Sequence, residues 1–96
     1  MQIEKQLLQE LYEAIVALED VGECERFLSD LCTINEVHAM AQRLKSAKLL
    51  LEGKTYNEVI EQTDISSATL ARVSKCVRHG SGSYAQIIEK LQKNTR

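Results

Sequence analysis

The chain runs for 96 residues without a proline, while apolar residues recur every three or four positions through nearly its whole length. Proline removes a backbone donor and ends helix interiors. Its absence, with this period, leaves an all-α fold as the reading, since no two-residue alternation competes for a strand. Ile3, Leu7, Leu8, Leu11, Ile15 and Leu18 form one stripe of a first helix over about residues 2–18. Asp20 and Gly22 interrupt it, and a short second helix over about 22–32 carries Cys24, Phe27, Leu28 and Leu31. Thr33 and Glu36 have capping-box spacing and open a third helix of about 19 residues. Gly53 is its expected stop, because glycine enters the left-handed region without strain. Thr55 and Glu58 repeat the capping box and open a short helix to about Gln62. Asp64 and Ile65 read as a turn. Ser66 or Ser67 caps a fifth helix to about Val77 or Arg78, and Ser83 caps a sixth that frays from Lys93.

Length fits one domain, residues 1–96. With no Trp and Phe27 as the one Phe, the core must be aliphatic. A small aliphatic core favours sharing burial with a second copy of the chain. No apolar run approaches the roughly 18 residues that span a bilayer. Charges at Glu4, Lys5 and Glu10 break up any secretory-type apolar stretch, so the chain reads as cytoplasmic. Cys24, Cys32 and Cys76 form no metal-type spacing with each other or with His38 and His79, so no metal site is expected. No Gly-rich phosphate loop or supported nucleophile appears, so no catalytic residue, cofactor or enzyme activity is expected.

Net charge is −2, but it is unevenly spread. Residues 1–32 hold eight acids against Lys5 and Arg26, and residues 33–63 are balanced. Residues 64–96 hold Asp64 and Glu89 against six Lys and Arg residues, which makes this third the candidate for a polyanionic partner.

Within it, residues 55–79 have the form of a helix-turn-helix. That motif needs two short helices joined by a three- or four-residue turn, both giving apolar side chains to one wedge. Val59 comes from the first helix, Ile65 plugs the corner, and Leu70, Val73 and Val77 come from the second. On the opposite face Ala68, Arg72, Lys75 and His79 cluster, with Arg78 on one flank and Thr69 and Cys76 on the other. No acid occurs between Ile65 and Gln86. Small residues at a helix start allow close approach to base edges, and Arg or Lys beyond them reaches guanines or phosphates. The expected double-stranded DNA contacts are Ser66, Ser67, Ala68, Thr69, Arg72 and Lys75 in or near the groove. Arg78, Lys54 and Lys48 are expected at phosphates. Ile60 stands where such motifs usually carry Ala, and Asp64 where they usually carry Gly.

The block Thr33-Ile-Asn-Glu-Val-His-Ala-Met-Ala-Gln-Arg43, then Leu49 to Gly53, then Ala68-Thr-Leu-Ala-Arg72 resembles the Trp repressor superfamily, and within it the small YerC/YecD-type branch. The likeness extends to Leu11–Ile15 and Phe27–Thr33, almost the whole chain. It implies a six-helix protomer, an intertwined two-fold homodimer, and two recognition helices about one DNA turn apart, roughly 34 Å. It further implies a near-palindromic operator. The family's namesake binds tryptophan between its core and its recognition helix. Of those ligand positions Thr33, Arg43 and Arg72 match, but Val73 replaces a glycine and Cys76 a serine. A tryptophan corepressor is therefore not expected.

A sequence-specific transcriptional regulator, acting as a repressor, is the function these features support. The competing reading is a helical protein-interaction module without DNA readout, using the acidic first third. Salt separates the two, because phosphate contacts weaken steeply with ionic strength.

Overall fold

A computed structural model describes residues 2–94. Among them there are six helices and no strand: α1 (Gln2–Val16), α2 (Val21–Leu31), α3 (Ile34–Leu51), α4 (Tyr56–Thr63), α5 (Ser67–His79) and α6 (Ser83–Asn94). The all-α, six-helix expectation holds. The contacts gather into two compact units, one up to Val37 and one from His38 onward.

In the first unit, α1 ends two residues before the expected position. The Ala17 and Leu18 amides still donate to the Glu13 and Ile15 carbonyls, so helical bonding trails past Val16. Asp20 caps α2, its carboxylate accepting the Glu23 amide at 2.8 Å. Glu23 in turn accepts the Glu19 amide at 2.8 Å. Thr33 closes the anticipated capping box: its amide donates to Glu36 Oε1 at 2.7 Å and its hydroxyl accepts the Glu36 amide at 3.1 Å. No residue of α1 or α2 is buried. Much of the apolar stripe of α1 is exposed instead, Ile3 at 71% and Leu7 at 62%, while Leu11 is half-buried.

The second unit holds the core. Ala47 and Leu49 of α3, Val59 of α4, Ile65 of the turn, Leu70 and Val73 of α5 and Ile88 of α6 form one buried cluster. Leu50, Ile60, Val77 and Tyr84 pack against it. The stop of α3 is a Schellman arrangement, with the Lys54 amide on the Leu49 carbonyl at 3.0 Å and the Gly53 amide on that of Leu50 at 3.0 Å. Gly53 sits at φ 89°, where a Cβ would be strained. The sixth helix differs from expectation at its start. Ser83 is already helical, and the Gln86 amide closes the first turn onto the carbonyl of Gly82, not of Ser83. The Ser83 amide and hydroxyl instead meet Ser81 Oγ, at 3.4 and 2.7 Å. Gly82 takes φ 88°, which sequence spacing alone does not disclose.

Candidate nucleic-acid interface

The geometry of α4 and α5 is set at their corner. Thr55 caps α4 with a complete capping box, its hydroxyl accepting the Glu58 amide at 3.2 Å and its amide donating to Glu58 Oε1 at 2.9 Å. Those bonds favour the carboxylate and hold Glu58 below its ordinary value, led by the Thr55 amide. Asp64 ends the helix in the left-handed region, at φ 61° and ψ 20°. It does there what glycine usually does, as an Asp tolerates that region. Ile65 follows and is 3% exposed.

A hydroxyl that the apolar pattern does not reveal locks this corner. Thr63 Oγ1 donates to the Val59 carbonyl at 2.8 Å and accepts from the Ile65 amide at 3.2 Å and Ser46 Oγ at 3.4 Å. Gln42 Nε2 adds a bond to the Thr63 carbonyl at 3.0 Å. The turn is thereby tied to α3 by side chains 17 and 21 residues away. No sequence motif signals that.

Ser66, not Ser67, caps α5. Its hydroxyl accepts the Thr69 amide at 3.2 Å and donates to Thr69 Oγ1 at 2.9 Å. Leu70 and Val73 turn inward and are fully or nearly fully buried, and Val77 is half-buried. The opposite edge is open: Ser66, Ser67, Ala68, Arg72, Lys75 and His79 are exposed, and Thr69 is half-buried. Arg78, exposed, lies on the flank as the helical period requires. Among the described residues the ion pair is Lys93 with Glu89 on α6, at 3.1 Å. The cations of α5 are not neutralised by neighbouring carboxylates.

The structure brings Arg43 of α3 and Arg72 of α5 to one cavity of about 380 Å³, which Thr69, Val73, Cys76 and Tyr84 complete. Tyr84 joins this group from α6 without any motif in the sequence that singles it out. Thr33 caps α3 in the first unit. Lys54 and Arg78 line a different cleft, while Lys48 borders an apolar groove with Ala41, Leu44, Ile88 and Leu91. The three cysteines are unpaired, with Cys76 exposed and Cys24 and Cys32 half-buried. No described helix is long and apolar enough to cross a membrane.

A two-helix corner with an open cationic edge invites comparison with known proteins. The family model described as "Trp repressor protein" matches residues 6–92. The uncharacterised protein YerC of Bacillus subtilis strain 168 is 41% identical over 96 residues, covering 97% of this chain and 92% of its own length. Two crystal structures share the fold at 38% identity. A TrpR-like protein from Eubacterium eligens superposes with a TM-score of 0.87 over 91% of this chain and 90% of its own. A candidate Trp repressor from Staphylococcus aureus does so with 0.89 over 100% and 99%. The chain belongs to the Trp repressor family, whose members are DNA-binding regulators and not enzymes.

Proposed function

We propose that the chain is a sequence-specific transcriptional repressor that binds double-stranded DNA as a two-fold homodimer. The observation carrying this reading is the outward edge of α5, exposed and unpaired at Arg72 and Lys75, on a helix anchored inward by Leu70 and Val73. An Arg on such an edge can meet a guanine with two hydrogen bonds, and the small Ala68 lets the helix start approach the bases. The amides of Ser67 and Ala68 at the first turn of α5 can receive a phosphate, and Lys54 and Arg78, in a cleft that the last turns of α5 also line, can receive another. A bound dimer acts without chemistry of its own, by occupying a site that polymerase needs.

The dimer is supported by the outer face of α1. Ile3, Leu7, Leu8, Tyr12 and Ile15 are all exposed there at helical spacing, and large exposed apolar patches mark interaction surfaces. Two-fold symmetry would set two recognition helices about one DNA turn apart and make the operator a near-palindrome. The Arg43–Arg72 cavity is not read as a tryptophan site. The branched Val73 stands in its wall where the family pattern has glycine, and Cys76 where it has serine. Added tryptophan should therefore leave both operator affinity and thermal stability unchanged.

Selection of bound duplexes from a random pool tests the function directly. A two-fold-symmetric consensus is the expected result. Recovery of no preferred duplex, or binding indifferent to salt, would overturn it in favour of a protein-docking role.

A further inference from the structure

Where α3 ends and α4 begins, a cleft of about 400 Å³ opens beside α5, with Lys54, Tyr56, Val77, Arg78 and Ser74 among its lining. Ser74 is the unexpected member. It lies between Leu70 and Arg78 around the helix and is only 4% exposed. Its hydroxyl makes no hydrogen bond to any described residue. Among the described residues no buried side-chain polar atom is sealed off without a partner, so this hydroxyl keeps an opening, and Ser74 lines the cleft. Alanine would fill the same space with better helix propensity and no polar atom to satisfy. A serine here is explained by an acceptor that enters from outside.

The surroundings define that acceptor. Lys54 and Arg78 supply positive charge from two sides, and both are exposed and outside any ion pair among the described residues. Tyr56 lines the cleft as well and is 40% exposed. The nearby Glu58 carboxylate is turned back onto the Thr55 amide. The group these donors suit is an oxyanion with several acceptor oxygens.

We propose that Ser74, with Tyr56, Lys54 and Arg78, seats one backbone phosphodiester of each DNA half-site and so fixes how deeply α5 enters the groove. This rests on the reading of α5 as the recognition helix. Lys54 and Arg78 alone would supply charge at a loose distance. The Ser74 hydroxyl, held on a largely buried residue, and the Tyr56 ring add a fixed position, because neither can follow a misplaced phosphate.

The test uses the intact protein and the duplex recovered by selection, with each backbone linkage replaced in turn by an uncharged methylphosphonate. For the natural chain, one linkage per half-site should weaken binding about tenfold or more when neutralised. Ser74→Ala should bind the unmodified duplex roughly tenfold more weakly. It should also lose its sensitivity at that one linkage, while its free form melts at an equal or higher temperature. Arg78→Ala should make the dependence of log affinity on log salt shallower by about 0.9 per half-site, and Ser74→Ala should leave that slope unchanged. If Ser74→Ala matches the natural chain at every linkage, the phosphate seat is overturned while DNA recognition stands. If the natural chain recovers no preferred duplex, recognition by α5 fails first and the seat with it.

Discussion

Replacing Ile65 by alanine isolates what holds the two helices of the DNA-binding corner together. The side chain is 3% exposed and meets Val59 from α4, Leu70 and Val73 from α5 and Leu49 from α3 in one cluster. Ile65→Ala removes three carbons, and at about 0.8 kcal/mol for each buried methylene the transfer loss is about 2.4 kcal/mol. The hole closes poorly, since the Ile65 amide is bonded to Thr63 Oγ1 at 3.2 Å and the preceding Asp64 is fixed at φ 61°. Incomplete collapse adds on the order of 1 kcal/mol, so the total is about 3–4 kcal/mol per protomer, within the usual range for such truncations. Urea denaturation at fixed protomer concentration measures it. With a slope near 1–1.5 kcal/mol/M, the midpoint should fall by about 2–4 M. Concentration must be held constant, because dimerisation would couple stability to mass action. Ile65→Val is the control and should cost about 0.5–1.5 kcal/mol. A loss under about 1 kcal/mol for the alanine variant, at an unchanged slope, would show that this residue does not anchor the corner.

Arg72→Ala should weaken binding to the selected duplex by about 1–3 kcal/mol while changing affinity for random duplex far less, as competition titrations would show; equal losses on both would assign Arg72 to phosphates. Glu58 has a folded-state value below its ordinary 4.5, so it stabilises the fold fully above that value and less as pH falls through the lower folded one. Glu58→Gln should therefore flatten the acid limb of a stability–pH profile over that window, and an unaltered limb would contradict the capping role. Gly53→Ala should cost about 1–2 kcal/mol in denaturant melts, all of it backbone strain, because φ is 89° and nothing lies within 4 Å of the added carbon; a neutral result would mean that the turn readily leaves the left-handed region.

Elements governed by neighbours in sequence were legible, and those governed by neighbours in space were not. The capping boxes at Thr33 and Thr55 and the left-handed stops at Gly53 and Asp64 follow from hydrogen bonds and sterics within a few residues. The inward stripe of Leu70, Val73 and Val77 and the open edge of Arg72 and Lys75 follow from helical period alone. Ser83 does not cap α6, although its residue type fits: Ser81, Gly82 and Ser83 all suit a helix start, and only the realised backbone chooses among them. The stripe of α1 shows the limit from the other side: its period is plain, yet its apolar side chains remain exposed in the single chain.

Local sequence therefore determined the helices, most of their ends and the sidedness of α5, since each depends on bonds spanning one turn or less. Tertiary structure decided which distant groups share a site. It tied Thr63 to Gln42 and Ser46, joined Arg43 with Arg72 and Tyr84, and drew Lys54 and Tyr56 to the buried Ser74. These groups meet across helices, where the packing of a few aliphatic side chains sets distance and direction, and no periodicity along one helix records that.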